Sequence, residues 1–176
     1  MATQRTADAT RYLTGPAYGI AALFVLLPII DTLAQVWPFA LGNPAWRYGT
    51  IGLGANYLIS VLFGMLGLGL LAALGSHRRT LRALAIASGV AALLLLIATL
   101  AFLLDALQVR GTVPRDNPRT LWLFDAGAAK AAFKYLVSVA AFGWLALATW
   151  RAGRAIPRPA ADEVVPRLVH EQKGGE

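Results

Sequence analysis

Cysteine is absent from the 176-residue sequence, and its absence excludes disulfides, iron–sulfur clusters, thiolate zinc sites and cysteine nucleophiles. Charged residues are also scarce, because Asp, Glu, Lys and Arg together make up 14% of the chain, against about a quarter in soluble domains. The apolar share is correspondingly high, at 57%. This composition argues against a soluble domain and is typical of an integral membrane protein.

Reactive side chains are equally sparse. The two histidines, His77 and His170, lie outside the apolar segments, which excludes a bis-histidine haem within a membrane and an H-E-x-x-H zinc site. The sequence has neither a Walker A motif nor a G-x-S-x-G motif. We therefore expect no enzyme activity, no catalytic residue, no metal and no resident cofactor. A bound apolar pigment, quinone or lipid is the alternative, because an apolar groove has no fixed sequence pattern.

What the sequence does contain is long apolar runs. A membrane helix needs about 20 apolar residues, and four runs of this length predict helices at about 16–37, 48–74, 81–107 and 121–150. The short segment 75–80 predicts a tight turn between antiparallel neighbours. The predicted fold class is all-α, an integral membrane four-helix bundle of two αα-hairpins. Three parts follow: an N-terminal cytoplasmic segment at 1–15, the helical domain at 16–150, and a flexible basic tail at 151–176.

The first apolar run also has the features of a secretory signal, with Thr32-Leu33-Ala34 as a cleavage site. The length of the run, Pro28 and the nearby Asp31 favour an uncleaved helix. Cleavage would leave three membrane spans.

The positive charge predicts which way the bundle faces. The net charge is +7, and ten of the 16 lysines and arginines lie in the N-terminal segment, the turn after the second run and the C-terminal tail. Because cytoplasmic loops of membrane proteins are enriched in these residues, both termini are predicted to face the cytoplasm. The basic residues stand in short clusters between apolar runs, which indicates topology signals and membrane lipids as partners, and no nucleic acid.

The two loops on the opposite, exterior side end alike. Asn43-Pro44 and Asn117-Pro118 each place a helix-capping residue before a proline suited to the first helical turn. Asp31 and Asp105 precede these asparagines by 12 residues, and the common offset of 74 suggests duplicated hairpins. Ordinary helix capping is the alternative explanation.

Ionisable residues inside apolar helices are costly, so each is a candidate functional position. Asp31, near the exterior end of the first helix, is expected to pair with Arg47 or to form a proton or substrate site. The charged side chains together are expected to form a ring of interhelical ion pairs that fixes the order of the helices. Its candidate members are Asp31, Arg47, Asp105, Asp125, Lys130 and Lys134.

Small residues recur at a spacing that lets membrane helices approach closely. The pattern predicts helix packing, either within the bundle or against another membrane protein. The residues concerned are Gly64, Gly67, Gly69, Ala73, Ala85, Gly89, Gly127 and Ala131.

Aromatic residues cluster near the predicted helix ends, as in the interfacial belts of membrane proteins. The expected interfacial aromatics are Trp37, Trp46, Tyr48 and Trp122 on the exterior side and Trp150 on the interior side.

The segment from Asp31 to Leu71 combines an acid near a helix end, Asn43-Pro44-Ala45-Trp46, Thr50-Ile51-Gly52 and an apolar run containing Gly67. In these features it resembles small bacterial membrane proteins of the hormogonium polysaccharide biosynthesis J type, over about the first three helices. The resemblance implies a bacterial inner-membrane protein with a role in envelope polysaccharide or membrane organisation, and it implies no catalytic residues.

Three functional hypotheses follow. The first is a non-catalytic accessory, scaffold or assembly subunit of a larger membrane complex, with other integral membrane proteins as partners. The second is a small proton-coupled transporter or carrier that uses Asp31, Asp105 and Lys134. The third is an envelope polysaccharide-related membrane protein, including an enzyme that acts on a lipid-linked substrate.

Overall fold

The structure, a computed structural model, describes residues 2–114 and 118–156. Within this part of the chain the fold is all-helical, without a β-strand. The helices are α1 (Ala2–Val36), α2 (Pro44–Gly54), α3 (Leu58–Leu74), α4 (Arg78–Arg110) and α5 (Pro118–Ala155). Three helical segments are long and apolar enough to cross a membrane, and the number rises to four if α2 and α3 form one bent span.

The helices extend beyond the apolar runs that predicted them. Helix α1 includes most of the predicted N-terminal segment, and α5 continues through Arg151 and Arg154 to Ala155, where the sequence predicted the start of the flexible tail. The extension of α5 has local causes, because the Arg154 guanidinium lies 5.2 Å from the centre of the Trp150 ring and Gly153 packs against Leu81 of α4. The predictions for residues 157–176 and for Asn117 lie outside the described residues.

The second predicted span, 48–74, is not one continuous helix. Helix α2 begins earlier, where Oδ1 of Asn43 accepts hydrogen bonds from the backbone N–H groups of Ala45 (2.9 Å) and Trp46 (3.3 Å). It ends at Gly54, and α3 continues at an angle of 45°. At the break, the N–H groups of Asn56 and Tyr57 bond to carbonyls three residues back, at 3.0 Å. This tighter turn replaces α-helical bonding, because glycine weakens a helix interior.

The helices pack as two pairs. Helices α4 and α5 form the most extensive contact, while α1 lies mainly against α3. Helix α3 also contacts α4 and α5, and α2 lies on α4. The largest cluster of buried apolar side chains joins α3, α4 and α5 and comprises Met65, Ala72, Leu81, Leu84, Phe142 and Leu145.

The turn between α3 and α4 consists of Gly75, Ser76 and His77. The N–H of His77 bonds to the carbonyl oxygen of Ala72 at 2.8 Å, and the N–H of Ser76 bonds to that of Ala73 at 3.1 Å. This is the Schellman pattern of helix ends. Its left-handed position is held by Ser76, with φ at 54°, and the turn therefore stores backbone strain.

Candidate functional site

Two ion pairs lie at the end of the bundle where α1 and α4 end and α2 and α5 begin; we call this the charged end. Its central interaction is a two-pronged ion pair between α2 and α4. Arg47 donates from Nε to Oδ2 of Asp105 at 3.0 Å and from Nη2 to Oδ1 at 2.6 Å. Its Nη1 donates to the carbonyl of Leu41 at 2.7 Å. The pair therefore ties α2, the preceding loop and α4 together.

The ion pair with Arg47 neutralises a buried carboxylate. Asp105 is buried, with 3% of its surface exposed, and a buried carboxylate is tolerated when a cation meets it with good geometry. The sequence-based pairing of Arg47 with Asp31 is therefore incorrect. Helix α1 has only minor contact with α2, whereas α2 lies along α4, so Asp105 and not Asp31 is the acid within reach of Arg47.

A second ion pair joins α4 to α5 at the same end. Arg110 donates from Nε to Oδ1 of Asp125 at 2.7 Å and from Nη2 to Oδ2 at 2.9 Å. Both side chains are about half exposed, so the pair adds modest stability. Its position where the two helices enter their common loop fixes their register.

The two lysines of α5, Lys130 and Lys134, have different surroundings. Lys134 reaches from α5 to the break between α2 and α3, where its Nζ donates to Oδ1 of Asn56 at 2.8 Å. Lys130, one turn earlier, is exposed and makes no ion pair with any described residue. The predicted ring is therefore two separate ion pairs and one lysine–amide bond.

The break between α2 and α3, at residues 55–57, is another polar centre of the site. Besides Lys134, it receives Gln35 of α1, whose Nε2 donates to the Tyr57 hydroxyl at 2.7 Å. The buried Tyr135 of α5 donates its hydroxyl proton to the carbonyl of Ile51 at 2.6 Å. Side chains from α1 and α5 thus contact the three-residue break and the helix end before it. These contacts tie the break to α1 and α5.

Gln35, Asn56 and Tyr135 were not identified from the sequence. Uncharged polar residues near helix ends are common and carry no distinctive spacing. The available signal was the weak helix formers Gly52, Gly54 and Asn56 within one apolar run, which together could have indicated a break.

Asp31 is separate from both centres. It is exposed and lies in a groove between α1 and α3, next to Tyr57 and Ser60. Within the described residues it makes no hydrogen bond and no ion pair. A second, mostly apolar cavity of about 390 Å³ lies on the α4 side of α1 and includes Thr32 and the two tyrosines Tyr57 and Tyr135. The three residues of the transporter hypothesis therefore have three different environments.

The small residues differ in how closely they pack. Gly64 has the tightest setting, since a Cβ there would lie 2.8 Å from the Ala21 carbonyl oxygen of α1. Gly67 and Gly69 face α1 and α5, where the nearest atoms would be 3.4 Å and 3.3 Å away. Gly89 faces α5 at 4.0 Å, and Ala85 is buried.

The remaining small residues are not all interface positions. Gly127 would have no described atom within 4 Å of an added Cβ, Ala73 is exposed and Ala131 is half-buried. Gly127 and Ala73 therefore do not pack closely within the bundle, and their packing against another membrane protein stays a prediction. Spacing alone does not show which side of a helix faces a neighbour.

The predicted interfacial aromatics fall into two groups. Trp37, Trp122 and Trp150 are exposed, as expected for side chains at a membrane surface. Trp46 is half-buried and packs edge-on against Phe39. Tyr48 instead lies between two rings inside the bundle, and its stacking partners at 5.0 Å and 5.1 Å are Phe102 and Phe124.

The Tyr48 stack links α2 to α4 and α5, a contact that the sequence analysis did not predict. The described residues contain no group of three or more His, Cys, Asp or Glu side chains that could hold a metal ion.

The chain matches no protein-family model, no curated protein and no solved structure. The function is therefore argued from the geometry.

Proposed function

We propose that the chain is a multi-pass protein of the bacterial cytoplasmic membrane, folded as a four-helix bundle with both termini in the cytoplasm. In this arrangement α2 and α3 form the broken second span. The three long apolar helices and the bent pair support it, as does the excess of positive charge at the termini and in the α3–α4 turn. The charged end then faces the exterior.

The orientation can be tested with single cysteines, because the chain has none of its own. Ser76→Cys in the α3–α4 turn should be protected from a membrane-impermeant maleimide in intact spheroplasts. Leu41→Cys in the loop before α2 should be labelled. The reverse labelling pattern would show that the chain has the opposite orientation in the membrane.

We further propose that the protein acts by contact, as a non-catalytic accessory, scaffold or assembly subunit of a larger membrane complex. The observation that carries this proposal is that most of the described carboxylates form ion pairs within the bundle. Of the three carboxylates described between residues 13 and 156, Asp105 and Asp125 are bound by arginines of the same chain. Their charges hold helices together, and the outward-facing side chains of the helices are largely apolar, a surface suited to lipid and to partner helices.

The test is extraction of the tagged chain from its native membrane in a mild detergent, followed by sizing and identification of the proteins that remain bound. A contact-acting subunit should elute with the same partner in a fixed ratio after repeated washing. A free 18.7 kDa chain would contradict the proposal. A role in envelope polysaccharide assembly, which the sequence resemblance implies, would be supported by a partner with that activity.

A small proton-coupled transporter is the second candidate, favoured by the broken second span. Interrupted helices with polar side chains at the break are a recurring feature of transporter binding sites. One substitution distinguishes the transporter from the contact-acting subunit. Asp31→Asn should abolish proton flux into vesicles that contain the pure chain if it is a transporter, whereas pure chain without flux supports the contact role.

A further inference from the structure

A shallow groove runs along the outer side of α1 and α3. It has a volume of about 460 Å³, and its walls are half-exposed apolar side chains of α1, namely Ile20, Leu23, Phe24 and Leu27. Asp31 and Tyr57 lie at one end. The groove follows α1 from Ile20 to Asp31, about 16 Å at the rise of an α-helix. This is about three turns of a partner helix.

Asp31 sets the chemistry of the groove. Of the three carboxylates described between residues 13 and 156, Asp31 is the one without an ion pair to a described residue. An acidic side chain within a membrane-spanning helix is costly unless it is paired. Asp31 lies five residues before the end of α1 at Val36, which places it about 8 Å inside that end. In the proposed membrane arrangement, this position favours a cation carried by a neighbouring helix.

We propose that this groove is the docking site for one transmembrane helix of another membrane protein, and that this helix carries a lysine or arginine at the depth of Asp31. The inference rests on the proposed contact function and names its surface. Apolar side chains of the partner would pack against those of α1, beside Tyr57 and Ser60, and the cation would neutralise Asp31. A lipid ammonium group fits less well, because it stays at headgroup level, above the depth of Asp31.

The experiment uses the full chain in phosphatidylcholine vesicles and three host peptides of alternating leucine and alanine. The peptides carry a single Lys, Glu or Leu about five residues from one end, and binding is measured by energy transfer. The Lys peptide should bind about three- to thirty-fold more tightly than the Leu peptide. Asp31→Asn should remove this preference, and Asp31→Lys should transfer it to the Glu peptide.

The control is Asp125→Asn, which removes a carboxylate that Arg110 already binds and should leave the preference for the Lys peptide intact. Because Asp31 has no hydrogen-bond or ion-pair partner among the described residues, Asp31→Asn should melt at the wild-type temperature. Equal binding of the three peptides, or a preference that survives Asp31→Asn, would overturn the proposal.

Two other occupants would also overturn it. Asp31-dependent self-association without peptide would assign the groove to a second copy, with Lys130 as the available cation. Asp31-dependent retention of phosphatidylethanolamine, without peptide preference, would assign it to a lipid. The groove proposal and the contact function can fail independently. If a native complex survives Asp31→Asn, the groove proposal is refuted and the contact function stands. If the chain is solitary in its native membrane, the contact function is refuted.

Discussion

Replacing Gly64 by alanine tests the closest approach between two helices of the bundle. An added Cβ would lie 2.6 Å from Cγ2 of Val25 and 2.8 Å from the carbonyl oxygen of Ala21. The Val25 side chain can rotate away, but the backbone oxygen cannot. The oxygen must retreat by about 0.6 Å to reach the 3.4 Å at which contact becomes ordinary, so α1 must shift away from α3.

The expected cost follows from two opposing effects. Alanine in place of glycine favours a helix by about 1 kcal/mol, and overpacking costs about 1–3 kcal/mol. Gly143→Ala in α5 is the matched control, because an added Cβ there has no described atom within 4 Å. The two variants should therefore differ in unfolding free energy by about 1–3 kcal/mol, or roughly 2–12 °C in melting temperature.

The assay is thermal unfolding of the purified chain in detergent, with Gly64→Ala melting at or below the wild type and below Gly143→Ala, which should melt at or above the wild type. Equal melting temperatures for the two variants would refute the α1–α3 contact. A crosslink gives an independent check, since a Cβ at Gly67 would lie 3.4 Å from that of Ala21, near disulfide distance. The double variant Ala21→Cys/Gly67→Cys should oxidise to a disulfide in membranes, and Ala21→Cys/Gly143→Cys should not.

Three further predictions concern stability in detergent. Ser76→Gly should raise the unfolding free energy by up to about 1 kcal/mol because it relieves the left-handed strain, and an unchanged value would argue against that conformation. Ser88→Ala should also raise it, by about 1 kcal/mol, since the fully buried hydroxyl lacks a hydrogen-bond partner in the described chain; a loss would indicate a partner. Arg47→Asp should lower the melting temperature because it places an acid beside the buried Asp105, and adding Asp105→Arg should recover part of the loss; no recovery would contradict direct pairing.

The presence of the helices was predictable because it depends on local composition. Apolar runs of membrane length located three long apolar helices and the bent pair of α2 and α3, and the structure extends the helix ends into residues such as Arg151 and Arg154 that favour helix without being apolar. The Asn43-Pro44 pair correctly marked the start of α2. These signals need no knowledge of neighbouring helices.

The partners of individual side chains were not predictable in the same way. Asp31 and Asp105 have equivalent positions in the sequence pattern, yet one is exposed and the other is buried against Arg47. The difference arises because α2 bends away from α3 and lies along α4. Tyr48 likewise faces the interior since the same bend brings it between two phenylalanines.

The mass of the particle that contains this chain in its native membrane tests the contact function most directly. The chain can be released with its surrounding lipid by a polymer that forms nanodiscs, and the proteins in each particle can be weighed by native mass spectrometry. The contact function predicts the 18.7 kDa chain together with a second membrane protein in a constant ratio. Particles that hold the chain alone, or only copies of itself, would contradict it.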